Sequence, residues 1–239
     1  MDPRRAGTGG RGGAGSAASL FVTGTDTGVG KTLASAALLH ALRARGLRAV
    51  GMKPVASGCD TTPQGWRNED ALMLQAASDP RPAYEDVNPF ALQAPTAPQL
   101  AARAAGVAVA LEPILAAHAR LAEGADRVVV EGVGGWLAPL ADGLDQSALA
   151  RGLQADVVLV VGLRLGCLSH ARLTARAVQA DGLRLAGWIA SAVDPAFERS
   201  NDYLGLLRDA LPAPCLGMIP HMPEPDATLA SPRIDASSL

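Results

Sequence analysis

The fold is decided by the stretch Ser19-Leu20-Phe21-Val22-Thr23-Gly24-Thr25-Asp26-Thr27-Gly28-Val29-Gly30-Lys31-Thr32. Its first five residues form a short β-type run that a glycine ends, and residues 31–45 are rich in Ala and Leu, as in a helix. A glycine-rich turn between a strand and a helix presents backbone N–H groups and the helix N-terminus to an anion. The stretch therefore predicts a phosphate-binding loop.

Two side chains of this loop match the needs of a nucleotide. Lys31 is expected to reach the β- and γ-phosphates of ATP, and the Thr32 hydroxyl is placed to bind Mg²⁺. The usual motif has four residues between its first glycine and Gly-Lys-Ser/Thr, and Gly24 lies one residue further from Gly30 than that spacing. The sequence therefore predicts a variant phosphate loop that binds ATP with Mg²⁺.

Strand-like and helix-like segments alternate along the rest of the chain. Strands are expected over residues 48–53, 126–131, 157–162, 185–190 and 215–219, with helices between them. The second of these strands is an almost unbroken apolar run, typical of a parallel strand that is buried on both faces. This alternation predicts an α/β fold, with a doubly wound, mostly parallel sheet flanked by helices.

The domain boundaries follow from composition. One domain is expected over residues 18–221, between a flexible N-terminal tail (residues 1–17) and a C-terminal tail (residues 222–239). Residues 60–67 are predicted to form a polar loop. Residues 80–98 carry five prolines, which predicts an extended surface excursion rather than a strand of the sheet.

Composition also argues against several classes of protein. The net charge is −2 and the basic residues are scattered, so no surface for nucleic acid is indicated. No apolar run reaches about 18 residues, the length that a membrane-spanning helix needs. The three cysteines, at positions 59, 167 and 215, are odd in number and widely spaced, which predicts reduced thiols and a cytoplasmic protein.

Three charged residues stand where a parallel sheet places its active site. Glu131 follows the apolar strand and fits the acidic residue that holds the metal, although it could be only the polar end of that strand. Lys53 ends the second strand, either beside the phosphate loop or as a solvated charge. Asp70 follows the possible helix cap Asn68, and from its pattern alone it is more typical of a helix-dipole partner.

Six blocks of sequence follow one another in a characteristic order. The first block is residues 21–32, which are quoted above. The others are residues 53–58 (Lys-Pro-Val-Ala-Ser-Gly), 67–72 (Arg-Asn-Glu-Asp-Ala-Leu), 88–90 (Asn-Pro-Phe), 131–136 (Glu-Gly-Val-Gly-Gly-Trp) and 166–170 (Gly-Cys-Leu-Ser-His). Together they resemble the dethiobiotin synthetase family, from residue 20 to about residue 220.

The resemblance implies an ATP-dependent ligase of biotin biosynthesis. Such an enzyme joins CO₂ to 7,8-diaminopelargonate and closes a ureido ring, with release of ADP and phosphate. One amine captures CO₂ as a carbamate, the carbamate attacks the γ-phosphate to give a mixed carbamic-phosphoric anhydride, and the second amine expels phosphate. The resemblance also implies a homodimer, in which the Gly166-Cys167 segment reaches the neighbouring subunit's site and binds the carboxylate tail of the diamine.

The resemblance also implies roles for individual residues. Catalysis is implied for Lys31, Lys53 and Thr27, and substrate binding for Thr27, Ser57, Gly166 and Cys167. Mg²⁺ binding is implied for Thr32, Asp70 and Glu131. Nucleotide binding is implied for Gly28, Val29, Gly30, Lys31, Thr32, Asp70, Glu131, Gly132, Val133, Gly134, Ser191, Ile219, Pro220 and His221.

The chain departs from the family pattern at three places. Gly28 stands where a relative carries Glu, and Ser169 stands where some relatives carry Asn. Ser191-Ala192 replaces an Asn-Asp pair with which family members read adenine, which leaves Ile219-Pro220-His221 as a nearby contact to the base. We therefore expect ATP to remain the best phosphoryl donor, with a relaxed preference.

Two other P-loop classes are alternatives. An amide-forming ligase normally carries an added glutamine-hydrolysing domain, and the sequence after residue 220 is too short for one. A nucleotide-switched partition ATPase usually has an extra lysine early in its loop, where this chain has Gly24-Thr25-Asp26, and a basic amphipathic tail is also missing here. Both features favour the dethiobiotin synthetase interpretation.

Overall fold

The computed structural model describes residues 17–239, so the predicted N-terminal tail lies outside the described residues except for Ala17. The strands are β1 (Ala18–Gly24), β2 (Ala49–Met52), β3 (Val55–Ser57), β4 (Asp60–Thr62), β5 (Gly65–Arg67), β6 (Phe90–Leu92), β7 (Arg127–Gly135), β8 (Pro139–Ala141), β9 (Leu144–Asp145), β10 (Asp156–Gly162), β11 (Leu185–Ser191) and β12 (Cys215–Ile219). The helices are α1 (Lys31–Ala44), α2 (Glu69–Ala77), α3 (Tyr84–Val87), α4 (Pro98–Ala105), α5 (Leu111–Glu123), α6 (Gln146–Gly152), α7 (Cys167–Ala180), α8 (Ser200–Ala210) and α9 (Ala227–Ala230).

The central sheet confirms the predicted parallel α/β fold. Its six strands lie in the order β12-β11-β10-β1-β7-β2, and each neighbouring pair runs parallel. The chain leaves β1 for β2 on one side of the sheet and later continues to β10 on the other side. This reversal of direction places the topological switch point, where such sheets bind ligands, beside the carboxyl end of β1.

Each face of the sheet carries an aliphatic layer. Successive side chains of a strand point to opposite faces, so Phe21 of β1 packs in one layer while Leu20 and Val22 pack in the other. Helices α4 to α8 cover the first layer, and α1, α2 and α9 cover the second. Because both faces are covered, the central strands are apolar throughout, as a buried parallel sheet requires.

Two connections are more ordered than the sequence predicts. Residues 60–67, predicted as a polar loop, form the exposed antiparallel hairpin β4–β5. Residues 80–98, predicted as an extended surface excursion, contain α3 and the strand β6, which pairs in parallel with β3. Val87 and Asn88 of this segment are buried. The prolines exclude these residues from the central sheet but do not keep them on the surface.

The C-terminal segment, predicted as a tail, folds back onto the second layer. Ile234 forms an antiparallel bridge with Gly217 of β12, and the Asp235 N–H donates to the Leu216 carbonyl at 2.7 Å. Ala230 and Ile234 are buried beside α1. Residues 222–239 are therefore part of the packed domain, because their few apolar side chains close one edge of the core.

None of the helices that the structure describes is both long and apolar enough to cross a membrane.

Substitutions in the C-terminal segment test this packing. Ile234→Ala removes a side chain that is 7% exposed, so we expect the free energy of unfolding to fall by about 2–4 kcal/mol in urea denaturation. Leu229→Ala in the same segment is the matched control, because Leu229 is 67% exposed, and its effect should stay within about 0.5 kcal/mol. Equal effects of the two substitutions would mean that the segment does not pack as described.

Candidate active site

A cavity lies at the carboxyl end of the sheet, where β1, β2 and β7 end. Its volume is about 430 Å³. The residues that line it are Thr27, Gly28, Gly30, Lys31, Thr32, Leu33, Lys53, Asp70, Met73, Glu131, Val133, Gly134 and Pro225. The cavity therefore brings together the phosphate loop, the end of β2, the first turn of α2 and the end of β7.

The shape of the phosphate loop depends on glycine at two positions. Gly30 caps α1 with φ +83°, and a Cβ atom there would lie 2.7 Å from the Ser191 hydroxyl oxygen. A Cβ atom on Gly24 would lie 2.7 Å from Val29 Cγ2. Gly28 differs, because it has φ +72° but no atom within 4 Å of a Cβ position. Side chains are excluded by contact at Gly24 and Gly30, whereas at Gly28 only the backbone conformation favours glycine.

Lys31 lies at the base of the loop, almost buried. Its ammonium group donates to the carbonyl oxygen of Asp26 at 3.0 Å. Burial lowers the pKa of Lys31 to about 8, although the negative charge of Glu131 opposes this shift. The free protein therefore holds a cation at the loop that loses its proton readily in mildly alkaline solution.

Lys53 lies between two carboxylates. Its Nζ atom is 2.9 Å from Asp70 Oδ2 and 2.5 Å from Glu131 Oε1. Burial alone would lower the pKa of Lys53, but the charges of Glu131 and Asp70 outweigh it and raise the pKa. For Asp70, burial works against the charged form, and the Lys53 ammonium lowers the pKa overall. The site therefore keeps a charged lysine although the side chain is only about 5% exposed.

Oxygen atoms at this cavity could hold a divalent cation. The Thr32 hydroxyl donates to Glu131 Oε1 at 3.0 Å. The other oxygen of this carboxylate, Oε2, is buried and has no hydrogen-bond partner among residues 17–239. A buried carboxylate oxygen without a partner is costly, so it is suited to accept a ligand. Together with Asp70, this set of hydroxyl and carboxylate donors fits Mg²⁺, which prefers oxygen.

The glycine-rich end of β7 forms the opposite wall. Glu131 lies within this strand, in register with Val22 of β1, and the strand continues to Gly135, past its predicted end at residue 131. The buried side chain of Gln146 accepts from the Val133 N–H at 2.5 Å and donates to the Gly135 carbonyl at 2.6 Å. The Gln146 side chain therefore makes hydrogen bonds with the backbone of this wall that a neighbouring strand would otherwise make.

Some residues assigned from the resemblance do not line the cavity. Ser191 is buried behind the phosphate loop, against Gly30. Ile219 is buried at the end of β12, and Pro220 and His221 after it are exposed. The remaining assigned residues outside the lining are Val29, Ser57, Gly132, Gly166 and Cys167.

Sequence reasoning missed several residues at the cavity. Leu33, Met73 and Pro225 add apolar surface to its lining. Asp26 caps the Thr27 N–H at 2.7 Å and pairs with Arg164 at 2.5 Å, which ties the loop to the segment before α7.

Known proteins with similar sequences identify the family. The model of an AAA domain family matches residues 18–228. Curated proteins named ATP-dependent dethiobiotin synthetase are 65% identical over 209 residues in Xanthomonas euvesicatoria pv. vesicatoria and 61% identical over 208 residues in Xylella fastidiosa. The matches cover 87% of this chain, and 93% and 92% of those proteins. The chain belongs to the ATP-dependent dethiobiotin synthetase family.

Solved structures with the same fold are more distant than these family members. The MinC:MinD cell division protein complex of Aquifex aeolicus matches with a TM-score of 0.58 at 17% identity, covering 93% of this chain and 94% of that one. A ParA family ATPase from Chlorobium tepidum matches with a TM-score of 0.58 at 12% identity, covering 92% and 98%. At these identities the likeness concerns the fold alone.

The lowered pKa of Lys31 predicts that ATP binding is linked to a proton. Lys31 in the free protein has a pKa lowered to about 8, and a triphosphate bound at the loop would favour its charged form. Binding near pH 8 should therefore take up a fraction of a proton, and ATP affinity should fall as the pH rises through the pKa of Lys31. Calorimetry in two buffers of different ionisation enthalpy measures the uptake.

The control for this prediction is Lys31→Arg. Arginine keeps its positive charge throughout this pH range, so the proton uptake should disappear even if ATP binds more weakly. The same uptake in Lys31→Arg would assign the proton to another group.

Proposed function

We propose that the chain makes dethiobiotin from 7,8-diaminopelargonate, CO₂ and ATP in the cytoplasm, releasing ADP and phosphate. Its family makes it an ATP-dependent ligase of biotin biosynthesis. The observation that carries the proposed mechanism is the charged Lys53 in the same cavity as the phosphate loop. The three free cysteines support the proposed location, because reduced thiols are typical of the cytoplasm.

The loop would bind the triphosphate. The backbone N–H groups of residues 28–31 and the N-terminus of α1 lie at one wall of the cavity, where they would donate to phosphate oxygens. Lys31 would lie beside the β- and γ-phosphates, and in this position its ammonium would exchange the Asp26 carbonyl for a phosphate oxygen.

Lys53 would bring the carbamate close to the triphosphate. A carbamate and a triphosphate repel each other, so their reaction needs cations near both. Lys53 stays protonated because two carboxylates surround it, and its ammonium has three N–H donors. We infer that it binds the carbamate oxygens, with the Thr27 hydroxyl as a further donor at the mouth of the cavity. Holding the carbamate near the γ-phosphate supplies proximity as well as charge.

Thr32, Asp70 and Glu131 would hold Mg²⁺. The buried Oε2 atom of Glu131, which has no hydrogen-bond partner within residues 17–239, supports this assignment, as do the oxygen donors of the other two side chains. When bound, the ion would neutralise negative charge on the phosphate groups. The carboxylates of Asp70 and Glu131 meanwhile keep Lys53 charged and in place.

A homodimer would complete the diamine site. Gly166 caps the start of α7 and is exposed outside the lining of the cavity, which fits a contact with the site of a second subunit rather than with its own. Gly166 has φ +94°, and Cys167 is buried, so we assign Cys167 to packing and not to nucleophilic chemistry. The first helical turn of α7 would supply N–H groups for the carboxylate tail of the diamine.

Replacement of Lys53 tests the proposed reaction. Lys53→Gln should lower kcat by about 10²–10³-fold, because it removes the cation that faces the carbamate. Activity is measured as phosphate release and ureido product from diamine, bicarbonate and Mg·ATP. Arg199→Gln is the matched control, because it removes a positive charge from an exposed surface pair with Asp202, and its rate should be unchanged. Phosphate release that does not require the diamine would contradict the proposed reaction.

Nucleotide selectivity is predicted to be weak. Ser191 is buried behind the loop and does not line the cavity, and Ser191-Ala192 stands in place of the Asn-Asp pair that the family resemblance assigns to the base. Loss of two side chains that hydrogen-bond the base lowers discrimination between bases, so rates with GTP and CTP should lie within about tenfold of the rate with ATP. Rejection of both by more than about 10³-fold would mean that other groups read the base.

A further inference from the structure

The main chain at Lys53 is held by residues outside the central sheet. Strand β2 ends at Met52, so Lys53 has no partner among the sheet strands that the structure describes. Its N–H donates to the Val87 carbonyl at 2.8 Å, and its carbonyl accepts from Asn88 Nδ2 at 2.6 Å. The segment of residues 84–90 therefore takes the place of a neighbouring strand at this position.

A second set of hydrogen bonds fixes the helix that carries Asp70. Asn68 caps α2, because its side-chain oxygen accepts from the Ala71 N–H at 3.2 Å. The backbone N–H of Asn68 donates to the Tyr84 hydroxyl at 2.8 Å. The Tyr84 hydroxyl in turn donates to Asn88 Oδ1 at 3.1 Å. The start of α2 is thus joined, through one tyrosine, to the asparagine that holds Lys53.

These contacts form a closed ring. Lys53 bonds Asp70 through its side chain and Asn88 through its main chain, and Tyr84 and Asn68 join the two ends. Asn68, Tyr84 and Asn88 are all buried. The hydroxyl of Tyr84 has a single proton, so its donation to Asn88 Oδ1 turns the Asn88 amide group toward Lys53.

We propose that Tyr84 and Asn88 are positioning residues, which hold Lys53 and Asp70 at a fixed separation for the reaction. This inference rests on the proposed function for the role of Lys53. Neither residue touches Nζ of Lys53 or the carboxylate of Asp70, so both act through the backbone of Lys53 and the cap of α2. Loss of the tyrosine hydroxyl would leave the Asn68 N–H and Asn88 Oδ1 unpaired, and the two elements could then shift independently.

Tyr84→Phe is the mildest test, because it removes one oxygen atom. We expect kcat to fall about tenfold, because Lys53 and Asp70 would no longer be held at a fixed separation. In the Lys53→Gln background the same change should lower the residual rate less than about twofold, because the group that it positions is already missing.

Ser78→Ala is the matched control. The Ser78 hydroxyl is also buried, accepts from the Gly51 N–H at 2.8 Å and donates to the Leu74 carbonyl at 2.7 Å. It therefore joins α2 to β2 with the same pattern of bonds as the Tyr84 hydroxyl, but it does not bond Asn88 or Lys53. Both variants should lose a similar few degrees of thermal midpoint, and only Tyr84→Phe should lose kcat. An equal loss of kcat in both would overturn the proposal.

Amine labelling gives a measure that does not depend on turnover. The chain has two lysines, so reductive methylation followed by mass spectrometry reports on Lys53 relative to Lys31. In Tyr84→Phe we expect the labelling ratio of Lys53 to Lys31 to rise about fivefold, and in Ser78→Ala to stay within about twofold. An unchanged ratio in Tyr84→Phe would overturn the proposal.

Labelling and turnover of the wild-type protein together distinguish this proposal from the proposed function. A wild-type protein that labels as expected but does not turn over the diamine would contradict the proposed reaction and leave the ring intact. If Tyr84→Phe does not fold, Asn88→Asp is the second variant, because it keeps the shape and turns an oxygen toward the Lys53 carbonyl. It should raise the labelling ratio in the same direction, and an unchanged ratio would count against the proposal.

Discussion

A buried ammonium group lies between two carboxylates at the edge of the sheet, where Lys53 Nζ is 2.9 Å from Asp70 and 2.5 Å from Glu131. Removing such charges from water costs several kcal/mol per ion, and only close pairing offsets that cost. Each of the three charged side chains must therefore be positioned accurately, because a misplaced one would leave a buried charge uncompensated. The strand β7 brings Glu131, the first turn of α2 brings Asp70, and the end of β2 brings Lys53.

The parallel sheet solves most of this problem. Strands that run in one direction end at one edge, so a loop after β1, a lysine after β2 and a carboxylate on β7 meet without any local sequence relation. The aliphatic layers on both faces fix the height and direction of these strands. What the sheet cannot fix is the chain after β2, and there residues 84–90 supply the missing hydrogen bonds.

Much of the fold and part of the site could be predicted from the sequence. Fully buried parallel strands have a continuous apolar pattern, and the cap at Asn68 is a local signal that the structure confirms. Lys31 and Thr32 follow from the motif, and their placement needs only the strand, turn and helix around them. The contacts of Gln146 and Asn88 could not be predicted, because each bonds backbone atoms 11 or more residues away. Ile234 is similar, since its burial depends on where β12 ends rather than on its neighbours in the chain.

The use of lysine in the site has a chemical reason. The chain contains 21 Lys and Arg residues, and its only two lysines line this cavity. The other residues of this set are all arginines, so arginine is the usual basic side chain of this protein. A guanidinium group is a planar fork that binds one carboxylate through two parallel bonds, whereas an ammonium is compact and has three rotatable donors. Two donors of Lys53 reach Asp70 and Glu131. The third can reach an oxygen atom in the cavity without giving up either carboxylate, as the proposed binding of a carbamate requires.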